Sequence, residues 1–241
     1  MADTGVVPRL EEMIDLDHAF YVDYSRVRRH QKRVTKITRY LAEIMGLSER
    51  EAEILEIASR LHDYGKRIWT PEMIFKKKEK LDEYGMHLIK THSVASANLI
   101  KNDLEVYDRY VAYVFNKYYS EVFKIIECHH ENWDGSGYPF GLAGEEIPKL
   151  SRIIRVADAY DAMRSPRIYR SIDYQLMTHK ETVKKIEDKS GIEFDPMAVA
   201  AFMKIPKEML EKIHEDVTQI PKERLREIYG KEISSQVAGN N

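Results

Sequence analysis

The chain has very little of what an extracellular or membrane-bound protein is built from. One cysteine, Cys128, among 241 residues excludes an intramolecular disulfide framework and fits a reducing compartment. No stretch approaches the ~18 consecutive apolar residues of a membrane span. The opening MADTGVVPRLEEMIDLDHAF carries acids where a secretory leader needs a basic end and a long apolar run. A cytoplasmic location is the expectation. Excess charge is missing as well: 38 Lys+Arg against 40 Asp+Glu give a formal charge of -2. That leaves no basic surface for non-specific nucleic-acid binding, so no DNA partner is expected. Strand-like alternation is nearly absent, and no repeat or low-complexity tract is present. The basic run Lys76 to Lys80 reads as a solvated face.

What is there is helical spacing, in a length that suits a single domain. Val27, Val34, Ile37, Leu41 and Ile44 form one apolar stripe closed by Gly46. Ser48 with Glu51 is a capping box that opens a helix through Ile54, Leu55, Ala58 and Leu61; Thr70 and Pro71 open another. Leu81, Tyr84, Leu88, His92, Ala95 and Leu99, at intervals of three and four, put His92 on the buried face of one segment. Val111, Val114, Phe115, Tyr118, Val122, Ile125 and Ile126 form the next stripe, which ends at His129. After a DGSGYP turn come LSRIIRVADAYDAM, a helix capped by Thr178 and Glu181, and two short ones opened by Pro206 and Pro221. The class is all-α. The expected divisions are a flanking segment over 1–25, a central domain over 26–204 and a C-terminal helical extension over 205–241.

Five of the nine histidines and two aspartates fall where metal ligands would: His30, His62 with Asp63, His92, His129 with His130, and Asp158. Four of them lie on or at the end of an apolar stripe, where an unpaired polar side chain is costly. A lone histidine on such a stripe is more often a hydrogen-bonded core residue, and His18, His87, His179 and His214 are read that way. Seven residues arranged as HD, HH and a helical ADAYD are not explained so. Imidazoles with carboxylates suit borderline or hard divalent ions such as iron, manganese or zinc. Adjacent residues point about 100° apart on a helix, so HD and HH chelate one ion only at a helix end or distortion, and more readily serve two neighbouring ions. An aspartate can bridge both through its two oxygens.

Through these residues the chain resembles the HD-GYP phosphodiesterases, a branch of the HD-domain metal-dependent phosphohydrolases. The matching stretches are LHDYGK (61–66), KTHSVASANLI (90–100), HHENWDGSGYP (129–139), RVADAYDAM (155–163), RIYR (167–170) and GIEFDP (191–196), in family order. The resemblance implies an HD-domain bundle of about five to seven helices around a central metal centre, with flanking helices. It implies one metal on His30, His62, Asp63 and Asp158 and a second on Asp63, His92, His129 and His130, with Asp63 bridging. Iron or manganese is the ion expected. Asp63, Lys66 and Asp161 would be catalytic, Asp161 standing near the substrate and the metal-bound water. Lys66, Arg167, Arg170 and Tyr138 would contact the substrate. Gly135, Gly137 and Pro139 shape the turn. Glu131 reads either as an orienter of a ligand histidine or as a helix-end cap.

Four features depart from the family pattern. Members with three metals carry a glutamate four residues before the first histidine; Arg26 stands there, and an arginine cannot ligate a cation, so two metals are expected. Asn132 follows HHE where a basic residue is common, and Tyr64 replaces a common aliphatic. The stretch between His92 and His129, with Tyr107, Tyr110, Tyr113, Tyr118 and Tyr119, is longer than usual.

The activity implied by the resemblance is hydrolysis of cyclic di-GMP to pGpG, and onward to GMP, by a metal-bridging hydroxide that attacks phosphorus in line. Lys66, Arg167 and Arg170 would neutralise the phosphate oxygens. A related cyclic dinucleotide or another nucleotide is the alternative substrate. A receptor or scaffold that binds a cyclic dinucleotide or a diguanylate cyclase without turnover is a second alternative, and a di-iron oxygenase an outside one.

Overall fold

A computed structural model describes residues 25–68, 83–107, 109–165 and 176–215. Ten α-helices and two 3-10 turns make up the described residues, with no strand among them and only two isolated bridges. Helix α1 (Ser25–Ile44) packs against α2 (Glu49–Leu61). Between them Gly46 takes φ 63, the left-handed conformation that ends a helix, and Ser48 and Glu51 cap each other reciprocally. Val34, Ile37 and Leu41 share one core with Ile54, Leu55 and Ala58.

A 3-10 turn (Tyr64–Ile68) follows, then α3 (Glu83–Lys90), α4 (His92–Tyr107), α5 (Arg109–Tyr119) and α6 (Glu121–Glu127). Two stripes that read as continuous are therefore broken, at Thr91 and at Ser120. The apolar spacing runs on through each break; α5 and α6 both lie against α4, and α6 also packs on α2. Periodicity records which residues are buried and is blind to a change of helix axis. In the tyrosine-rich stretch, Tyr119 is core, with its hydroxyl donating to Glu53 Oε1 at 2.8 Å, while Tyr113 is exposed.

Helix α7 (Lys149–Arg164) contacts α1, α2, α6, α8 (His179–Asp188) and α9 (Pro196–Phe202). It is buried on nearly every side although it carries charged residues, among them Asp158, Asp161 and Arg164 in the interior. Ile153, Ile154, Val156, Ala157 and Tyr160 drive it inward, and Asp158 and Asp161 are carried into the interior with them. Helix α10 (Lys207–Ile213) lies against α1 and is tied to α7 by an ion pair of Arg164 with Glu211 at 3.0 Å. The helix starts read at Thr70 and Pro71 and at Pro221, and the run Lys76 to Lys80, lie outside the described residues.

Gly65 sets the distance between the HD turn and α4. A Cβ there would sit 2.4 Å from the His92 carbonyl oxygen and 2.6 Å from the Ser96 nitrogen. With no side chain in the way, the Gly65 N–H donates to Ser96 Oγ at 2.6 Å, and that hydroxyl lies 2.8 Å from the carbonyl oxygens of both His62 and His92. The two histidines are thereby held at a fixed spacing through their backbones.

Candidate metal centre

Three of the histidines sit where a helix runs out. His62 ends α2, His92 follows the end of α3, and His129 follows the end of α6. The last carbonyls of a helix have no intrahelical donor, and each ring uses one of them. His62 Nδ1 lies 2.8 Å from Ser59 O, His92 Nδ1 2.6 Å from Ile89 O, and His129 Nδ1 2.6 Å from Ile126 O. A carbonyl only accepts, so each Nδ1 carries the proton and each Nε2 turns its lone pair inward. His30, in the body of α1, achieves the same orientation differently: its Nδ1 lies 2.6 Å from Asp161 Oδ2. Locking the outer nitrogen to an acceptor is the usual way of presenting a histidine to a metal.

The inward nitrogens meet in two groups. His30 Nε2 lies 3.2 Å from His62 Nε2 and 3.1 Å from Asp158 Oδ1; His92 Nε2 lies 3.1 Å from His130 Nε2. Asp63 stands between the groups and divides its oxygens. Oδ1 is 3.2 Å from His92 Nε2 and 4.0 Å from His129 Nε2, while Oδ2 is 3.4 Å from His30 Nε2 and 3.6 Å from His62 Nε2. Asp63, His92, His129 and His130 have ligand atoms within 4.8 Å of one another, and so do His30, His62 and Asp158. The structure thus brings together all seven residues singled out as ligands.

A divalent cation fits this donor set. Asp63 Oδ1 and His129 Nε2 are buried with no hydrogen-bond partner, a costly arrangement for two lone-pair donors unless something electrophilic is shared between them. The described residues therefore hold a potential His/Asp site for divalent metal.

The resemblance puts Asp161 near the substrate and the metal-bound water. Asp161 is wholly buried behind His30, away from the inward nitrogens, and is surrounded by donors. Arg33 Nε donates to its Oδ1 at 2.5 Å and Arg33 Nη2 to its Oδ2 at 3.2 Å; Ser165 Oγ donates to Oδ2 at 3.2 Å, and His214 Nε2 lies 2.9 Å from Oδ1. A carboxylate so occupied orients His30. Arg33 was not singled out in the sequence, although it lies one turn after His30 on the same helix, a spacing that places two side chains on one face.

Lys66 folds back onto Asp63 Oδ2. Tyr138 lies over the histidine pair, its ring centroid 4.9 Å from His130 and 6.5 Å from His92, with Lys90 Nζ 5.9 Å from the ring. The Tyr138–Pro139 bond is cis. Arg167, Arg170 and His18 lie outside the described residues, as does the side chain of Arg26. Glu131 takes neither role set out for it: its Oε1 accepts the Phe140 N–H at 2.7 Å and pins the turn. Asn132 Oδ1 accepts from Arg155 Nε and Nη2 at 3.2 and 3.0 Å, so this departure from the family pattern ties the turn to α7. Among the histidines set aside, His214 is buried, His179 is half-buried against the Tyr160 hydroxyl at 2.8 Å, and His87 is exposed rather than in the core.

The electrostatics match ligand duty. Burial pushes His62 down to about 4 and, with neighbouring imidazoles, holds His129 and His130 well below the usual histidine range, so all three are neutral. Burial opposes charge on Asp63 and Asp161 too, but Lys66 and His62 beside the first, and His214 and His30 beside the second, keep both well below the usual carboxylate range. His30 is the exception. Burial again opposes its charge, yet hydrogen bonds to Asp158, Asp161 and Asp63 raise it to about 10.

These shifts fix a pH dependence for protein treated with chelator. Groups whose folded value is depressed contribute stability above their unfolded value and lose it as pH falls. That covers the three neutral histidines from pH 6.5 downward and the two aspartates from about 3.8 downward. His30 works the other way, losing its contribution as pH rises from 6.5 towards about 10. The thermal midpoint is expected to fall steadily as pH drops from 6.5 to 4; a flat midpoint over that interval in a thermal-melt series would contradict these assignments.

A helical bundle that gathers five histidines and several carboxylates at its centre, three of the histidines from helix ends, is the architecture of an HD domain. The family model described as HD domain matches residues 10–198, and the chain belongs to that family, in its HD-GYP branch. The cyclic di-GMP phosphodiesterase response regulator RpfG of Xanthomonas campestris pv. campestris is 35% identical over 173 residues, covering 72% of this chain and 42% of the relative. The 3'3'-cGAMP-specific phosphodiesterase 2 of Vibrio cholerae is 33% identical over 171 residues, covering 70% and 30%. The chain thus spans less than half the length of either. Among solved structures, an HDG"Y"P protein of Bdellovibrio bacteriovorus superposes with a TM-score of 0.54 at 21% identity, covering 74% of this chain and 52% of that one, a likeness of fold. No helix among the described residues is long and apolar enough to cross a membrane.

Proposed function

We propose that the protein is a cytoplasmic, metal-dependent phosphodiesterase that hydrolyses a 3',5'-linked cyclic dinucleotide, with cyclic di-GMP as substrate and pGpG, then GMP, as product. The observation that carries this reading is Asp63, one buried carboxylate whose two oxygens face two separate sets of inward-turned histidines. Two divalent ions held there, iron or manganese, would supply an activated water and neutralise charge as it builds at phosphorus. His30, His62, Asp63 and Asp158 would hold one ion and Asp63, His92, His129 and His130 the other. Asp63 would share its oxygens between them.

The remaining roles belong to the chain's own side chains. Lys66, which pairs with Asp63, would meet a phosphate oxygen arriving at the centre. Tyr138 offers an aromatic face over the His92–His130 pair, suited to stacking a base or ribose at the mouth. Arg167 and Arg170 are proposed as further phosphate contacts on the strength of the RIYR motif alone. The relatives also support a second substrate, since one of those described acts on 3'3'-cGAMP.

The test pairs elemental analysis of freshly purified protein with turnover of cyclic di-GMP and 3'3'-cGAMP under anaerobic, reducing conditions. About two metal ions per chain with formation of pGpG or GMP is the expected result. Faster turnover of 3'3'-cGAMP would move the assignment to that dinucleotide. Saturable binding of either compound, or of a diguanylate cyclase, without product across iron and manganese loading would replace the enzyme with a receptor or scaffold.

A further inference from the structure

The hydrogen bonds behind His30 lead to the far end of the chain. His214 follows α10, beyond residue 198 where the HD-domain match stops, and is fully buried. Its Nδ1 lies 3.0 Å from Leu210 O and its Nε2 2.9 Å from Asp161 Oδ1. A carbonyl and an ionised carboxylate both accept, so the ring donates at both ends. Its edge meets the Tyr160 ring at 5.2 Å and 82°. Asp161 in turn accepts from His30 Nδ1 at 2.6 Å. Leu210, His214, Asp161 and His30 thus form one continuous chain of hydrogen bonds that ends on an inward-turned nitrogen.

We propose that His214 is a positioning residue for His30, an inference that rests on the metal centre proposed above. Arg33 and His30 both grip Asp161 from α1, the first through Oδ1 and Oδ2, the second through Oδ2. Ser165 Oγ, at the end of α7, adds a donor on Oδ2, so Oδ2 meets Arg33, His30 and Ser165, whereas the donors on Oδ1 are Arg33 Nε and His214 Nε2. His214 reaches Oδ1 from a third segment, at the C-terminal end of α10, and balances the donors drawn to Oδ2. The plane of Asp161 sets the direction of His30 Nδ1, and with it the aim of Nε2. The segment after the HD-domain match therefore contributes to metal affinity without touching metal or substrate.

The measurement is Mn2+ affinity, by competition with a fluorescent chelator, for the wild type, His214→Phe and His214→Gln. Phenylalanine keeps the ring against Tyr160 and loses both N–H donors; glutamine restores one donor towards Asp161. His214→Phe is expected to bind Mn2+ roughly 10-fold to 100-fold more weakly, and His214→Gln to recover most of the loss. Thermal unfolding of the chelator-treated proteins separates this from packing, since a purely structural residue lowers the midpoint and leaves the affinity of the folded protein unchanged. Wild-type Mn2+ affinity in folded His214→Phe would overturn the proposal. If that variant does not fold, His214→Asn, polar but too short to span both acceptors, carries the same comparison. A wild type that binds no Mn2+ would overturn the metal centre itself, a result distinct from unaltered affinity in the variant.

Discussion

Asp63→Asn is expected to lose both metal ions together and to lower cyclic di-GMP turnover by roughly a thousandfold or more. The neutral isostere keeps the volume between the histidines but presents one oxygen and one NH2 where two anionic oxygens face the two ligand groups. No other ligand stands between the groups in this way, so the comparison variant is His129→Ala. His129 belongs to one group only, and its removal is expected to halve the metal content under conditions where Asp63→Asn carries almost none. Elemental analysis and product chromatography on the same preparations check both statements. Retention of two ions and of turnover in Asp63→Asn would rule out a shared carboxylate as the basis of the site.

The second large effect is on stability. Arg33→Met should cost about 3–5 kcal/mol in the free energy of unfolding, measured by urea titration in the presence of chelator. The Arg33 side chain is buried, and its guanidinium serves Asp161 through Nε and Nη2 and Ser165 through Nη2. Methionine fills much of the volume and leaves a buried carboxylate short of a cation. Arg33→Lys is expected to restore only part of the loss, because one ammonium cannot reproduce a planar fork that reaches both partners. A cost below about 1 kcal/mol for Arg33→Met would show that His214 and His30 satisfy Asp161 without it.

The two predictions differ in how visible their residues are from the sequence. Asp63 stands out beside His62 in LHDYGK, a polar pair at the end of an apolar stripe. Arg33 sits in RRHQKRVTK, where a basic run reads as a solvated face, and only burial against α7 shows otherwise. Asp161 was read through the resemblance alone, and ADAYD places it three residues from Asp158, on the same helical face. In the fold the two carboxylates lie on opposite sides of the His30 ring, Asp158 at Nε2 and Asp161 at Nδ1.

The sequence by itself determined the all-α class and the caps at Ser48 and Thr178. It also put His62 and His129 at helix ends, whereas His92, read within one continuous stripe, stands at a break that only the fold shows. Their ring orientation follows almost at once, because each Nδ1 bonds to the carbonyl three residues earlier, a local interaction that a terminating helix provides. Only the tertiary structure decided the rest. His30 has no helix end to hold it and takes its orientation from Asp161, 131 residues away. Asp63 divides its oxygens only because the HD turn and α4 meet at Gly65, and His214 reaches Asp161 only because α10 docks against α1. Spacing along a chain fixes which residues share a helical face. Which atom of a side chain meets which partner is fixed by the packing of helices distant in sequence.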